Sequence, residues 1–153
     1  MPQIVSRNAI FTALLNLLKT ASIPQSIGPI QFYSQRFIPW ENVAQQPAMM
    51  LLEGPQTASQ KGPFGLTQWS MQAVVLVYFR VDPALDGVVP AQQVNDLLDA
   101  IEAVLRMPSE SQRQTLGGLV ANAYIDGAVG FDDGTTDQSY QAVVFIPIRI
   151  AVA

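Results

Sequence analysis

Acidic side chains are the main source of possible chemistry in this sequence, because the chain contains no histidine and no cysteine. Three of them, Asp96, Asp99 and Glu102, lie on the solvated face of a predicted amphipathic helix, where charged residues need no catalytic role. Glu53 and Asp126 lie at the ends of predicted strands, a better setting for paired acid–base groups such as those of glycoside hydrolases. Nothing in the sequence pairs these two carboxylates. A carboxylate-dependent hydrolase therefore stays open as an alternative function.

The acidic segment after residue 130 is the candidate metal site. Asp132, Asp133 and Asp137 could offer carboxylate oxygens to a hard cation such as Ca²⁺. Their spacing does not fit an EF-hand loop, and no glutamate follows as a bidentate ligand. We expect a solvated turn at this segment, and we expect the protein to need no metal or other cofactor.

The lack of histidine and cysteine excludes several classes of protein. Histidine is the usual general base near neutral pH, and histidine and cysteine are the usual ligands of zinc and iron. Ser-His-Asp triads, disulfides and thiolate metal sites therefore cannot form within this chain. We expect a protein that is not an enzyme.

Two further motifs have ordinary structural explanations. The paired glycines Gly117 and Gly118 precede a predicted strand instead of leading from a strand into a helix, so they predict a turn and not a phosphate loop. Trp40 and Trp69 could form a ligand-stacking pair. Aromatic residues beside strands are more typical of core or interface anchors, and we favour that interpretation.

The composition indicates contact with other proteins rather than with nucleic acid or membrane. The formal net charge is −4, and the eight Lys and Arg residues are scattered, whereas nucleic-acid binding normally needs basic clusters. Only 13% of the residues are charged and 49% are hydrophobic, which is typical of a surface partly covered by partners. No apolar run approaches the ~20 residues that span a bilayer. No secretory signal is readable, and the absence of cysteine favours synthesis in the cytosol.

Hydrophobic periodicity predicts two helices. The first follows Ser6, a suitable N-cap, and its apolar residues recur at helical spacing up to Leu18. The second begins near Pro90, which suits a first helical turn. Its predicted buried stripe consists of Val94, Leu97, Leu98, Ile101, Val104 and Leu105.

Alternating and continuous apolar runs predict the strands. Residues 30–38 alternate and end at Pro39, and residues 47–54 form a short apolar run typical of a strand covered on both faces. Residues 54–65 contain several glycines and prolines and predict a long, mobile loop. Residues 117–129 and 140–153 predict two more strands. Pro147 lies inside the last one and indicates an edge strand or a bulge there.

The longest predicted strand covers residues 66–81 and has one continuous apolar face. Sixteen residues would extend ~53 Å, whereas a compact domain of this size is roughly 40 Å across. The strand must therefore bend sharply or protrude. If it protrudes, its polar start and the preceding loop form an arm for contact with other proteins. The predicted interface residues are Gln56, Thr57, Ser59, Gln60, Lys61, Phe64, Gln68, Ser70 and Gln72.

These elements predict an α+β fold over residues 1–153, as a single domain. A mixed or antiparallel sheet is packed by two helices, with a protruding loop or hairpin arm. The terminal strand, with the edge marked by Pro147, could lie against a neighbouring copy, so we expect a closed homo-oligomer.

The order of these segments resembles the tail terminator proteins of long-tailed bacteriophages over nearly the whole chain. The most specific parts are the corner from Arg36 to Trp40 before "QPAMMLLEG", the "TLGG" start of a strand at residues 115–118, and the ending "IPIRI" at residues 146–150. None of these is a catalytic signature. The resemblance therefore rests on the order of the elements and on these short motifs.

The resemblance implies a structural virion protein that is made and assembled in the host cytoplasm and lies at the head-proximal end of the tail. It implies a ring, with a hexamer favoured, which caps the tail tube and ends its polymerisation. The ring would then offer a docking surface to the head connector or stopper protein, while the segment from Gln56 to Phe64 would order on the tube protein. Another head–tail junction protein or a tail tube subunit is the alternative within the same class.

Overall fold

Two helices and six strands make up the chain in the computed structural model, which describes residues 5–60, 62–81, 89–106, 113–132 and 140–152. A short 3-10 helix, Trp40–Asn42, lies between the first two strands. The elements in chain order are α1 (Arg7–Leu18), β1 (Phe32–Ser34), β2 (Ala48–Gln60), β3 (Thr67–Arg80), α2 (Pro90–Arg106), β4 (Asn122–Ile125), β5 (Gly130–Asp132) and β6 (Gln141–Val152).

All six strands belong to one mixed sheet in the order β1-β2-β3-β6-β4, with β5 also paired to β6. β1 runs parallel to β2, and the other pairs are antiparallel. β3 and β6 pair without a register shift from Trp69 and Val152 at one end to Arg80 and Gln141 at the other. The predicted α+β class is confirmed, and this β3–β6 ladder lies at the centre of the sheet.

Both helices pack on one side of the sheet, which we call the helix face. The helix-face side chains of β3 are buried from Met71 to Phe79, as the alternating pattern predicts. Leu14 of α1 and Leu97 of α2 are fully buried against the same cluster. The Ser6 cap is also confirmed, since the Ser6 hydroxyl accepts a hydrogen bond from the N–H of Ala9 at 3.4 Å.

The described residues cover the opposite side of the sheet, the outer face, mainly near β1. Met50, Leu76 and Tyr78 are buried there, and Ile38 and Val43 from the segment before β2 pack over them. Apolar residues on both faces explain why residues 48–51 read as a continuous apolar run. The described fold therefore has three layers near β1, where both faces of the sheet are covered, and two layers elsewhere.

The Pro-Trp corner is held over the outer face by hydrogen bonds from its neighbours. The Tyr78 hydroxyl donates to the carbonyl of Ile38 at 3.0 Å, and the N–H of Ile38 lies 3.3 Å from the sulfur of Met50. The N–H of Asn42 then bonds the carbonyl of Pro39 at 2.9 Å and closes the turn. The corner carries the chain across the outer face and into β2.

The first predicted strand, residues 30–38, is much shorter than expected. β1 covers only Phe32–Ser34. The Ser34 hydroxyl accepts a hydrogen bond from the N–H of Arg36 at 3.0 Å and donates to the Arg36 carbonyl at 2.9 Å. This local turn ends the strand, because a serine side chain that bonds its own backbone competes with ladder pairing. The alternation seen further on comes from Ile38, which packs on the outer face from outside the strand.

The prediction for Pro147 was wrong. β6 is not an edge strand, since β3 pairs with one side of it and β4 and β5 pair with the other. Its register with β3 passes through Pro147 without a bulge. On the other side, β4 pairs up to Ile148 and β5 starts at Phe145, and the Pro147 carbonyl accepts the N–H of Asp126 between them. Pro147 therefore lies where the partner strand changes, and it does not mark an oligomer edge.

The predicted mobile loop at residues 54–65 was also wrong for most of its length. β2 continues through Gly54 and Pro55 to Gln60, with one extra residue between the pairs Glu53–Ala73 and Gln56–Met71. A Cβ on Gly54 would lie 3.2 Å from the backbone oxygen of Gln72, so glycine lets the two strands approach at this bulge. The glycine and proline mark a bulged strand here and not a loop.

We predict that Leu97→Ala lowers the free energy of unfolding by about 2–5 kcal/mol, because the side chain is fully buried and its removal leaves a cavity. Leu66→Ala is the matched control at a site that is 83% exposed. Its effect should stay within about 0.5 kcal/mol. Urea unfolding of both variants measures the difference, and equal effects would contradict the burial described above.

We predict that Tyr78→Phe costs about 1 kcal/mol at pH 7, because the hydrogen bond to Ile38 is lost. Burial, together with the negative charge of Glu41, raises the pKa of the Tyr78 phenol above its usual range. Above about pH 10 an unfolded tyrosine ionises while the folded one keeps its proton, so the contribution of Tyr78 to stability falls as the pH rises.

The difference in stability between wild type and Tyr78→Phe should therefore narrow between pH 7 and pH 11. Guanidinium unfolding at the two pH values measures this difference. A difference that stays constant across that range would show that Tyr78 titrates alike in the folded and unfolded states.

Candidate assembly surface

The hairpin formed by the ends of β2 and β3 carries the predicted interface residues. We call residues 56–72 the hairpin arm. β6 accompanies β3 only as far as Trp69, which pairs with Ala58 on its other side. Among the described residues, 59–60 and 62–68 therefore extend past the rest of the sheet. The arm is a strand pair with a projecting end, and it protrudes less than the length argument indicated.

Strand register divides the predicted interface residues between the two faces. Residues that pair across an antiparallel ladder point to the same side, and sides alternate along each strand. One group forms a continuous polar strip on the outer face: Thr57, Ser59, Gln68, Ser70 and Gln72. Gln56 and Gln60 point to the helix face, and Phe64 lies in the connecting turn. Lys61 lies outside the described residues.

The base of the arm is attached to the start of α1. The Arg7 guanidinium lies over the Trp69 ring, 4.4 Å from its centroid. The Nε of Arg7 also donates to Oε1 of Gln56 at 2.6 Å. Arg7 therefore contacts both strands of the arm. A stacked and hydrogen-bonded arginine of this kind orients the strand pair against the helix layer.

The tip of the arm, residues 62–66, exposes two large apolar side chains. Phe64 is 98% exposed and Leu66 is 83% exposed. Nε2 of Gln60 donates to the carbonyl of Gly65 at 2.6 Å across the turn, and Gly62 has a positive φ of 75°, a conformation that glycine adopts readily. A tip that holds two apolar side chains in water is typical of a contact point for another protein.

The outer edge of β2 is open along most of its length. β1 pairs only with Ala48–Met50, so from Leu51 to Gln60 β2 has β3 on one side and no described strand on the other. Unpaired edge strands present free backbone N–H and C=O groups. Pro55 and the bulge beside it interrupt this edge. Prolines and bulges on an edge strand both limit unwanted pairing with other chains.

Beyond the corner, the outer face combines a polar group with uncovered apolar side chains. Nη1 of Arg149 donates to the Ser70 hydroxyl at 3.1 Å, and Nε of Arg149 contacts Asp126 at 2.5 Å. Phe145, on the same face of β6, is 46% exposed. The outer face therefore continues the polar strip of the arm toward a partly apolar surface.

A groove lies between the end of α2 and β4, at the edge of the sheet opposite to the arm. Its volume is about 560 Å³. The groove is lined by Glu102, Leu105, Arg106, Asn122, Ala123, Tyr124 and Ile125. Glu102 and Arg106 form an exposed ion pair at 2.5 Å, one helical turn apart. Sequence reasoning missed this groove, and no local signal could have found it, because its two walls are separated in sequence.

The structure separates the two carboxylates considered as a catalytic pair. Glu53 is exposed on β2, and Asp126 follows β4. Three strand spacings lie between Glu53 and Ile125 in the sheet order, which is roughly 14 Å. Paired carboxylates of glycosidases lie roughly 5–10 Å apart. Asp126 instead contacts Arg149, so the two residues do not form the pair that such chemistry needs.

The remaining candidates for chemistry also have structural roles or lie apart. Asp96 and Asp99 are exposed on α2. Among the described residues, no group of three or more acidic side chains could hold a metal ion. Asp132 ends β5, while Asp133 and Asp137 lie outside the described part of the chain.

The glycine and tryptophan motifs also have structural explanations. Gly117 and Gly118 have φ values of 73° and 91°, and the Gly118 N–H bonds the Thr115 carbonyl at 3.0 Å, so the predicted turn is confirmed. Trp69 points to the helix face, where Arg7 covers it. Trp40 belongs to the segment that crosses the outer face, so the two rings do not form a stacking pair.

The helices give no indication of a membrane-spanning segment. None of the helices in the described ranges combines the length and the apolar character needed to cross a bilayer.

A chain from the virion of a native gene transfer agent (GTA) particle has a similar structure, with a TM-score of 0.55. The two chains are 10% identical, and the likeness covers 95% of each. No protein-family model matches the sequence, and no curated protein matches it. At this identity the likeness shows that the two chains share a fold over nearly their whole lengths.

We predict that the projecting end of the arm is dispensable for folding. Replacing residues 59–68 by Asn-Gly would join Ala58 to Trp69, which pair across the hairpin, through a two-residue turn that suits antiparallel strands. The described residues removed are exposed except for half-buried Gly65. The melting temperature should change by less than about 4 °C.

Thermal unfolding followed by circular dichroism measures this change. The matched control is Trp69→Ala in the full-length arm, which removes the ring beneath Arg7 and should lower the melting temperature more than the shortened hairpin does. A shortened protein that no longer unfolds cooperatively would show that the projecting end contributes to the core.

Proposed function

We propose that this protein is a structural virion component and that it acts as a tail terminator. A ring of copies caps the tail tube, stops its polymerisation and then offers a surface to the head connector or stopper protein. The observation that carries the proposal is the similarity in fold to a virion chain over 95% of both chains. The resemblance of the sequence to tail terminator proteins, over nearly the whole chain, supports the finer assignment.

The distribution of surface groups supports an assembly role. The hairpin arm places polar side chains on one face and apolar side chains at its tip, where no other part of the described chain covers them. A strand pair with this composition contributes little to the stability of its own subunit, because it buries little apolar surface. It contributes more free energy when a second protein binds and covers it.

The protein performs no reaction in this proposal. It acts by matching its surfaces to a neighbouring copy, to the tube and to the head connector. The alternative within the same class is another head–tail junction protein or a tail tube subunit. A hydrolase is less well supported, because Glu53 and Asp126 are separated in the sheet and Asp126 contacts Arg149.

Electron microscopy of particles made without this chain tests the proposal. Loss of a terminator should give tails of uncontrolled length that do not join heads, because nothing stops tube growth. Complementation with the wild-type chain should restore one uniform tail length. Loss of a tube subunit would instead leave no tails, and loss of a joining protein would leave tails of normal length beside filled heads.

The variant with Asn-Gly in place of residues 59–68 tests the role of the arm in the same system. We predict that it folds but fails to restore tail length, because the exposed side chains of the tip are missing. Asp96→Ala, at an exposed position on α2, is the control and should complement fully. Full complementation by the shortened chain would mean that the arm does not take part in capping.

Imaging of the purified protein distinguishes a terminator from a tube subunit. A terminator should form a closed ring of fixed size, whereas a tube subunit should polymerise into long cylinders. Negative-stain images of the protein alone and with tube subunits distinguish these two outcomes. Long cylinders of the chain alone would assign it to the tube.

A further inference from the structure

The tip of the arm and the α2–β4 groove lie at opposite edges of the same sheet, and one is convex and apolar while the other is concave. The tip holds Phe64 and Leu66 in solvent, while the groove is a concave space of about 560 Å³ between described residues. Clefts that bind small molecules have volumes of roughly 300–1,000 Å³, and such molecules are comparable in size to one or two large side chains. One phenylalanine side chain buries about 150–250 Å² when it is covered. The groove is therefore large enough for the two side chains of the tip.

The walls of the groove suit an apolar group that arrives on a strand turn. Tyr124 of β4 is 37% exposed and Ile125 beside it is half-buried, while Leu105 of α2, which also lines the groove, is only 5% exposed. In the described ranges no further strand pairs with the outer edge of β4, where the N–H of Ala123 bonds the carbonyl of Gln114. The ion pair of Glu102 with Arg106 forms a polar rim, as expected at the border of a protein contact.

The positions of the two features favour contact between neighbouring copies. The sheet order β2-β3-β6-β4 places the arm at one edge and the groove at the other. Both lie toward the same end of the sheet, because Trp69 pairs with Val152 while Asn122 pairs with Ala151. Copies that lie side by side can therefore bring the arm of one to the groove of the next. A contact between two different surfaces is head-to-tail and closes into a ring when the rotation allows.

We propose that the tip of the arm seats Phe64 and Leu66 in the α2–β4 groove of the adjacent copy. This inference rests on the proposed function, because it requires a ring of copies. It names the interface that holds the ring together, and it leaves the polar outer face of the arm free for the tube or the head connector. A tip that docks on the tube protein instead is the competing outcome of the test.

Disulfide cross-linking in assembled particles tests the contact, because the chain has no cysteine of its own. The variant Phe64→Cys with Glu102→Cys places one thiol on the tip and one at the rim of the groove. Phe64 is 98% exposed and the Glu102 side chain is 41% exposed, and neither belongs to the buried core, so the fold should tolerate the changes. The matched control is Phe64→Cys with Asp96→Cys, whose second thiol lies on the same helix, about 120° around its axis.

Particles complemented by each tagged double variant are oxidised with copper phenanthroline and separated without reductant. A head-to-tail contact should give a ladder at multiples of the 16.6 kDa subunit mass, and the Asp96 control should stay mainly monomeric. A mixture of chains carrying only Phe64→Cys or only Glu102→Cys should give dimers and no longer products.

Particles of normal tail length that show no ladder above the control would overturn the inference and leave the proposed function standing. Links to a protein of another mass would place the tip on the tube or the connector. Absence of the chain from the particles, with tail lengths unchanged when it is not produced, would overturn both proposals. Circular dichroism of each purified variant confirms that the compared chains are folded.

Discussion

The rest of the structure depends on the pairing of β3 with β6 at the centre of the sheet. The two strands pair without a register shift from Trp69 to Arg80. Because the side-chain period of a strand is two, one slip would move the whole apolar set of β3 from the helix face to the outer face. The helices, the corner and the arm all take their positions from this ladder.

The same strand serves two purposes along its length. Toward Tyr78, β3 is buried on both faces, under the helices on one side and under the corner segment on the other. Toward Gln68 its outer face is polar and uncovered. The stabilising contacts within the subunit are therefore concentrated at one end of β3. The contact between Arg7 and Trp69 attaches the arm end of β3 to the start of α1.

Much of the fold could be predicted from local patterns. Helical spacing and caps are properties of neighbouring residues, and both helices lie where the sequence places them. Predictions that rested on a single residue type failed where pairing decided the outcome. Gly54 and Pro55 belong to a bulged strand because β3 offers a partner beside them. Pro147 lies inside the sheet because the strand beside it changes there, a fact that no local pattern contains.

By itself the sequence excluded histidine and cysteine chemistry, and it determined the two helices and the alternation that makes one face of β3 apolar. The tertiary structure decided which polar residues share a surface, because the register of β2 against β3 brings Thr57 and Ser59 beside Gln68 and Ser70. It also created the groove between α2 and β4, whose walls are far apart in the chain. Surfaces of this kind depend on long-range pairing, and local propensities carry no information about them.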